Sequence, residues 1–340
     1  MNSKNENLKI AVAYNELNGT DGEENIDYIS EAAVKKEAED VFRALVELGY
    51  QPVYLPIDEI ENGLNKIREN HPDLIFNLCE GYKGNAHHEM HIASMWELMG
   101  IPYTGNTPIS LGLAQNKVLA KKLFESKKIK TPMYQVYRET PVQTYLIYPL
   151  IAKPASEDAS LGITQDSIIY SFDDLKRKVC ELLEKYHQPV LVEKFIEGRE
   201  FNVSVLGNHP PQVLPVSEIN FSELEECYHI TSYEAKWLPE HPHYKKTPPV
   251  CPAEVSKELR YKLMDVALQV YHQLMGRDYG RVDMRVDGHD QIYVLEYNPN
   301  PDISTDAGLA RSALAAGLKY RDLIGKIVKD TLNRVNYGEN

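Results

Sequence analysis

The sequence predicts an α/β protein, in which a small parallel sheet with covering helices is followed by two regions of antiparallel strands. Apolar strands alternate with helical stretches over residues 8–78, the pattern of a parallel sheet. Beyond residue 129 the strands follow one another in antiparallel style, ending in two β-rich runs around an Asp-Gly turn signal at residues 279–298. With 340 residues, 43% of them hydrophobic, the chain can form two or three domains.

The first part of the chain contains three strands and two helices. Residues 8–14 are a continuous apolar strand, and strands follow at 51–57 and 72–78 with a charged helical stretch between them. The helix after the first strand carries apolar residues at helical spacing until Gly49 ends it. These apolar residues are Ala33, Val34, Val41, Leu45 and Leu48.

Residues 86–100 predict the next helix, and residues 101–106 a strand and turn. In open α/β sheets, ligands gather beyond the carboxyl ends of the strands. The loop after Tyr14 and the segment 77–88, which follows the third strand, are therefore expected near a site.

The remaining elements are a helix over 106–129, a strand over 148–155, two strands around a Glu-Gly turn in 188–207, and a helix over 256–275. The terminal hairpin and a closing helical region complete the chain.

Domain boundaries are predicted near residues 110 and 205. They divide the chain into an N-terminal α/β domain (1–110), a central domain (111–205) and a C-terminal domain (206–340). Residues 225–250 mix polar, aromatic and proline residues without a period. A loop of that length inside a compact domain is usually functional, so we expect a lid there.

Charge and cysteine content restrict the partners. The net charge of −13 argues against nucleic acid or an anionic membrane as the main partner, although local lysines and arginines can still bind phosphate. The four cysteines are scattered without a zinc pattern, and no signal peptide or membrane span is recognisable. We expect a soluble cytoplasmic protein with small-molecule substrates; its oligomeric state stays open, with a homodimer as one option.

The hairpin at 279–298 has an unusual polar face. If Gly288 and His289 form a two-residue loop, Asp283 pairs with Val294 and Arg281 with Glu296, and paired or alternate residues share a face. The polar face then carries Arg281, Asp283, Glu296 and Asn298, and the apolar face Val282, Met284, Val286, Tyr293, Leu295 and Tyr297. Two carboxylates about 4 Å apart repel by roughly 4 kcal/mol at a dielectric near 20, so a cation is expected between them. The oxygen ligands suit Mg²⁺, and a surface salt-bridge ladder is the alternative.

A second polar feature is Lys153, at the end of an apolar strand stopped by Pro154. It is either an exposed edge charge or an anion contact. The loop after it, 156–163, is rich in small residues, including Ser156 and Ser160, and can bind phosphate through its backbone amides without being a P-loop.

These features occur along the chain in one order: Lys117, Lys153, the small-residue loop, Glu193, Glu200, Lys236 and the acidic hairpin. In this combination the sequence resembles the ATP-grasp superfamily and, within it, the D-alanine–D-alanine ligase family. The resemblance covers nearly the whole chain. It is strongest in GNAHHEMHIASMWELMGIPYTGNTPISLGLAQNKVLAKKL, IAKPASEDASLGI, VLVEKFIEGREFNVSVLG, SYEAKW and YGRVDMRV with YVLEYNPNP.

The resemblance implies an ATP-grasp fold of three domains, with ATP held between two antiparallel sheets and Mg²⁺, or Mn²⁺ in its place, bridging the phosphates. The implied nucleotide contacts are Lys117 and Lys153 for the phosphates, Glu193 and the backbone of Lys194 and Ile196 for adenine, and Glu200 for ribose. The implied metal ligands are Asp283, Glu296 and Asn298. Ser160 and Lys236 would close over the γ-phosphate, and Arg281 would stabilise the transferring group.

The resemblance also implies an ADP-forming ligase. A carboxylate is phosphorylated by ATP to an acylphosphate, which an amine then attacks, so catalysis consists mainly of positioning and charge neutralisation. The lid would keep water from the acylphosphate.

The substrate half of the family pattern matches less well than the ATP half. The glycine pair expected at the first strand is missing, and Glu23, Glu24 or Asp27 could replace the glutamate that binds the first substrate's amine. Further departures are CEG at 79–81, Ala159 and Ala307 for two serines, Trp237 for a tyrosine and Asp302 for a glycine. Because a buried polar group left without its partner is costly, such relays are replaced together. We therefore expect amino-acid substrates other than two D-alanines.

D-alanine–D-alanine ligation itself is the alternative within the same class, and a catalytically silent nucleotide-binding protein is one from another class; a carboxylase is disfavoured because no biotin-type domain is present. The HHEMH segment is not the zincin pattern. His87 and His91 could bind a metal, but a helix start facing the substrate cleft is the favoured interpretation.

Overall fold

The computed structural model describes residues 8–16, 26–156, 163–224, 228–231 and 241–336, with residues 26–32 and 336 described by their backbone. Three sheets organise this part of the chain. The helices found there do not include one long and apolar enough to cross a membrane.

The N-terminal sheet is parallel and has three strands, as predicted. The order is β2-β1-β3, so the first strand lies in the centre and is buried along its length. Its elements are β1 (Lys9–Asn15), α1 (Ile26–Glu47), β2 (Gln51–Ile57), α2 (Ile60–Asn70) and β3 (Leu74–Leu78). Gly49 follows α1 with φ 84°, a conformation that favours glycine and ends the helix where the sequence predicted.

The segment after β3 forms a 3₁₀ turn (Ala86–His88) and helix α3 (Glu89–Leu98). The strand predicted at 101–106 is reduced to a single bridge between Tyr103 and Ile75. The chain leaves the sheet there because Gly105, with φ 90°, turns it away.

The single helix predicted over 106–129 is wrong, since two helices occupy the segment. They are α4 (Pro108–Gln115) and α5 (Lys117–Ser126). The backbone of Asn116 is not helical (φ −83°, ψ 85°), and its side chain accepts a hydrogen bond from the amide of Leu119. Asparagine at a helix N-cap competes with the helical backbone, and this break places Lys117 at the first position of α5.

The second sheet has four antiparallel strands in the order β4-β7-β5-β6. Its strands are β4 (Tyr134–Tyr137), β5 (Leu150–Pro154), β6 (Ile168–Ile169) and β7 (Val190–Lys194), and helix α6 (Phe172–Tyr186) packs on them.

The third sheet has six strands, in the order β11-β10-β8-β12-β13 with β9 beside β8. Its strands are β8 (Arg199–Leu206), β9 (Gln212–Val213), β10 (Ser217–Ile219), β11 (Pro249–Val250), β12 (Tyr279–Val286) and β13 (Ile292–Asn298). The accompanying helices are α7 (Pro242–Lys245), α8 (Lys257–Gln273), α9 (Gly308–Ala315) and α10 (Tyr320–Asn336).

The two strands predicted in 188–207 are present but belong to different sheets. The chain crosses from the second sheet to the third between Lys194 and Arg199, so β8 lies among the C-terminal strands. The division into three domains stays a prediction.

The hairpin formed by β12 and β13 has a different register from the predicted one. Asp290 has φ 57°, so the loop has three residues with a left-handed last one, and Met284 pairs with Val294. A bulge between Asp283 and Met284 then shifts the register again, so Asp283 pairs with Glu296 and not with Val294.

The two shifts together move the partner by two residues, which preserves the face of the strand. Arg281, Asp283, Glu296 and Asn298 are therefore still together, and Val282, Met284, Val286 and Tyr297 are buried in the core as predicted. Tyr293 and Leu295 are not core residues; Ile292 and Val294 take their place because they lie on the other side of the bulge.

Candidate active site

The polar face of the hairpin is centred on the buried carboxylate of Asp283. Arg281 donates to it from Nε (2.7 Å) and Nη2 (2.8 Å), and the amide of Asn298 donates at 2.9 Å. A further donor is Asn202 on β8, whose amide lies 2.6 Å from Oδ1 because Asn202 is the cross-strand partner of Asp283. Burial acts to lower the pKa of the Arg281 guanidinium, but the Asp283 carboxylate outweighs it and the pKa is raised.

The neighbouring carboxylate, Glu296, is paired with a lysine from another part of the chain. The ammonium group of Lys117, at the start of α5, lies 3.0 Å from its Oε2. Burial acts to raise the pKa of Glu296, but the charges of Lys117, Lys153 and Arg281 hold it well below its usual range. The cation expected between the two hairpin carboxylates is thus supplied by Arg281 and Lys117, and the surface salt-bridge ladder does not describe this buried face.

A second buried cluster lies on β5 and β7 around Glu193. Lys153 on β5 is a diagonal cross-strand neighbour of Glu193 on β7, and its ammonium lies 2.6 Å from Oε2. The other oxygen, Oε1, contacts the ammonium of Lys121, which also donates to the hydroxyl of Thr131 at 2.5 Å. Burial acts to raise the pKa of Glu193, and the two lysines outweigh it, so the pKa is lowered. Lys153 is therefore no exposed edge charge.

Sequence reasoning missed Lys121, although a signal was present. Lys121 is four residues after Lys117 on α5, so both side chains lie on the same face of the helix and reach the two clusters together. Burial lowers the pKa of the Lys121 ammonium, and Glu193 only partly offsets this.

The predicted ribose contact, Glu200, lies in a network of its own. Arg285 is its cross-strand partner and donates to Oε2 from Nη2 (2.8 Å) and Nε (3.2 Å), while Thr231 donates to Oε1 at 2.7 Å. Arg285 also donates from Nη1 to the carbonyl of Ile196 at 2.8 Å and from Nη2 to the carbonyl of His229. Arg285 was also missed, although it alternates with Arg281 and Asp283 along one strand face.

The remaining predicted contact, Lys194, lies at the end of β7. Its amide bonds to the carbonyl of Met133 at 2.8 Å, and its ammonium donates to the carbonyl of Tyr148 at 2.9 Å. Lys194 and Ile196 thus flank the point where the chain passes from the second sheet to the third, beside Arg285.

The donor set of the hairpin fits a magnesium ion. Asp283 and Glu296 are carboxylates and Asn298 offers an amide oxygen, and Mg²⁺ is usually bound by one or two protein carboxylates together with phosphate oxygens and water. No group of three or more His, Cys, Asp or Glu residues that could hold a metal ion occurs in the described part of the chain. The rings of His87 and His91 are 6.0 Å apart, and Nδ1 of His87 lies 3.0 Å from the side-chain oxygen of Gln115.

Several predicted residues fall outside the described residues. These are Ser160, Lys236, Glu23, Glu24, Ala159 and Trp237, and only the backbone of Asp27 is described. On the substrate side, Asp302 accepts a hydrogen bond from the amide of Ser304 at 2.7 Å, and Ala307 is the N-cap of α9 with no side-chain hydrogen bond.

The comparison with known proteins is decisive for the family. A family model described as D-ala D-ala ligase C-terminus matches residues 110–329. The chain belongs to the D-alanine–D-alanine ligase family. It is 33% identical over 311 residues to the uncharacterized protein y4sG of Sinorhizobium fredii, with 88% of each chain covered. It is 32% identical over 303 residues to a D-alanine–D-alanine ligase of Carboxydothermus hydrogenoformans, covering 85% of this chain and 90% of that one.

Solved structures show the same fold. The D-alanine–D-alanine ligase of Bacillus anthracis complexed with ATP has a TM-score of 0.76 at 23% identity, covering 98% of this chain and all of that one. The VanG D-Ala:D-Ser ligase of Enterococcus faecalis has a TM-score of 0.73 at 21% identity, covering 96% and 99%. The predicted ATP-grasp fold is therefore confirmed. The protein described here is an ADP-forming ATP-grasp ligase.

Proposed function

We propose that this ligase joins a carboxylate to an amine at the expense of ATP, and that its substrates are amino acids or amino-acid-like metabolites other than two D-alanines. The observation that carries the proposal is the convergence of Lys117, Lys153 and Arg281 on the carboxylates of one buried region. Positive charge is gathered here at the junction of two antiparallel sheets, where a polyanion with its metal would be neutralised.

In this proposal the chain's own groups bind and orient Mg-ATP. Lys117 and Lys153 neutralise the phosphates, and Asp283, Glu296 and Asn298 hold Mg²⁺ or Mn²⁺. Glu193, the backbone of Lys194 and Ile196, and Glu200 contact the nucleoside. When bound, Mg-ATP supplies the phosphoryl group that activates the substrate carboxylate for attack by an amine. Ser160 and Lys236 close over the phosphates, and Arg281 stabilises the transferring group.

The buried ion pairs support these roles. Each proposed phosphate contact is held by a carboxylate at the place where it would act, Lys117 by Glu296 and Lys153 by Glu193. A phosphate that binds here meets ammonium groups that are already positioned, so its binding requires little reorganisation. Lys121 keeps Glu193 neutralised when Lys153 turns towards a phosphate.

The substrate part of the proposal is supported by the departures near the hairpin. Asp302 adds a carboxylate where the family has a glycine beside the reacting carboxyl group, and its charge also contributes to raising the pKa of Arg281. Ala307 removes the hydroxyl expected for the second substrate's carboxylate. D-alanine–D-alanine ligation is the second candidate, favoured by the names of several relatives at 27–32% identity.

The test is a matrix of amino acids and related acids, each pair incubated with the purified protein and Mg-ATP. Phosphate release and product mass are measured. A ligase releases phosphate only with the right pair and yields the mass of the condensed product, whereas a silent nucleotide-binding protein gives no release with any pair. Release without a condensed product would contradict the proposal.

A further inference from the structure

A half-buried arginine, Arg311, stands next to Ala307, the position at which the family's substrate-binding serine is expected. Arg311 lies one turn after Ala307 on α9, and its amide bonds to the carbonyl of Ala307 at 3.0 Å. Helical side chains lean towards the N-terminus of their helix, so Arg311 extends back over Ala307. Its Nη1 donates to the carbonyl of Asp306 at 3.0 Å, which places the guanidinium in front of Ala307.

Arg311 has no carboxylate partner among the residues that the structure describes. Its Nε is buried and has no hydrogen-bond partner there, and the carboxylate of Asp306 is paired with Lys36 at 2.8 Å. A buried N–H left without an acceptor is costly, so the Nε–H of Arg311 offers a donor here that an added acceptor would satisfy.

The side chain of a second arginine, Arg281, approaches the same point through its Cδ atom. A Cβ atom added to Gly308 would lie 3.9 Å from Nη2 of Arg311 and 4.0 Å from Cδ of Arg281, so the two arginines flank this glycine. Burial lowers the pKa of the Arg311 guanidinium, and the charge of Arg281 lowers it further. Arg281 is already paired with Asp283, so an anion at this point would relieve the cost at Arg311.

We propose that Arg311 is the residue that selects the amine substrate, by binding a carboxylate group which that substrate carries. The inference rests on the proposed function, because it places the carboxylate beside Arg281 at the site of transfer. Arginine binds a carboxylate with two parallel hydrogen bonds in a fixed plane, which a serine hydroxyl cannot do.

The experiment measures binding separately from turnover. The probes are the common amino acids in both configurations and their carboxamides, titrated into the protein with Mg²⁺ and ADP while the melting temperature is followed. We expect one or more acids to stabilise the wild type, and the matching carboxamides to bind about 10- to 100-fold more weakly. In Arg311→Met the acids should bind as weakly as the carboxamides.

Two further variants complete the design. Arg311→Lys keeps the charge and loses the planar fork, so it should retain part of the preference for acids, and it also keeps the test informative if Arg311→Met does not fold. Arg321→Met, an exposed arginine on α10, is the matched control and should behave as the wild type.

The inference is overturned if no acid stabilises the wild type, if acids and carboxamides bind equally well, or if Arg311→Met retains the preference. Its failure is distinguishable from that of the proposed function. Turnover of carboxamide amines as efficiently as of the acids would remove the role of Arg311 and leave the ligase intact. Acid binding that depends on Arg311, without ADP release from any substrate pair, would contradict the proposed function and leave the role of Arg311 in place.

Discussion

Glu296 connects two elements that are distant in sequence, because its carboxylate pairs with Lys117 across the junction of α5 and β13. In the proposed function the same carboxylate holds the metal, so one residue organises the site both before and after ligand binding. Its neighbour Asp283 is neutralised separately, by Arg281. The two carboxylates thus coexist without repelling each other out of position.

Replacing Glu296 by glutamine should abolish turnover and leave the protein folded, since the amide oxygen still accepts a hydrogen bond from Lys117. The mutant should lose most of the increase in melting temperature that Mg-ATP gives the wild type. Glu218→Gln, at the Arg199 ion pair of the same sheet, is the control and should keep it. A fully active Glu296→Gln enzyme would refute the metal assignment.

Replacing Lys153 by methionine should weaken ATP use by roughly 10- to 1000-fold, because a phosphate loses its neutralising charge. The fold should persist, since Lys121 still neutralises Glu193. Steady-state kinetics with varied ATP measure the effect, which should fall on ATP more than on the amino substrate. Lys122→Met, an exposed lysine beside Lys121 on α5, is the control. Unchanged ATP kinetics in Lys153→Met would remove Lys153 from the site.

Glu37 should make stability depend on pH. Burial raises its pKa well above the usual value of 4.5, and the carboxylates of Asp302, Glu80 and Asp40 add to this. Below about pH 4.5 Glu37 is protonated in both states. As the pH rises towards its folded pKa, the unfolded chain loses the proton first, so the free energy of unfolding decreases.

Glu37→Gln should remove this decrease while keeping the hydrogen bond that the amide of Ile303 donates to Oε1 at 2.8 Å. Urea unfolding at several pH values measures it: the stability of the mutant relative to the wild type should increase from about pH 4.5 upwards. Glu39→Gln, exposed on the same helix, is the control. Parallel pH profiles of Glu37→Gln and the wild type would contradict the burial argument.

The elements were predictable where periodicity decides them. The strands and helices of the N-terminal sheet follow from the alternation of apolar and helical stretches. The hairpin register was not predictable, because the DGHD turn is compatible with a loop of two or three residues and a bulge leaves no mark on the hydrophobic pattern. The assignment of β7 and β8 to different sheets depends on tertiary contacts and not on local sequence.

The candidate site shows the same limit. The charged hairpin residues were predictable because alternation along a strand places them on one face, and Lys121 and Arg285 obey spacing rules that could have identified them. The role of Asn202 was not predictable, because its contact with Asp283 depends on the pairing of β8 with β12, which the local sequence does not reveal.

The hairpin packs tightly on its apolar face, which gives a test of the register. A Cβ atom on Gly280 would lie 2.4 Å from the hydroxyl of the buried Tyr297, whereas one on Gly288 at the tip would contact nothing within 4 Å. Gly280→Ala should therefore lower the free energy of unfolding by about 1–3 kcal/mol, and Gly288→Ala should change it by less than about 0.5 kcal/mol. Urea unfolding measures both. Equal stability of the two variants would show that Tyr297 does not pack against Gly280.

At the scale of the whole molecule, the N-terminal sheet and the C-terminal helices share one hydrophobic core. Residues of β1, β3 and α1 share a hydrophobic cluster with α9 and α10, so the helix that carries Arg311 is held against the N-terminal sheet. Polar bonds reinforce this junction, since the amide of Asn300 donates to Glu89 at 3.0 Å and Glu37 accepts from Ile303. The proposed substrate site lies where all these parts meet.

Turnover of D-alanine measures directly whether this ligase differs in substrate from its named relatives. Ala307 lacks the expected hydroxyl, Arg311 lies one turn after it, and Asp302 adds a charge where the family pattern has a glycine. Ala159, Trp237 and Ala307 replace polar groups expected in the family, and losing two or three such contacts, each worth about 1.5–3 kcal/mol, would weaken D-alanine use by roughly 10³-fold or more. With purified protein, Mg-ATP and saturating D-alanine, we expect ADP release no higher than with ATP alone. Formation of D-alanyl-D-alanine at about 1–10 s⁻¹ would contradict this account.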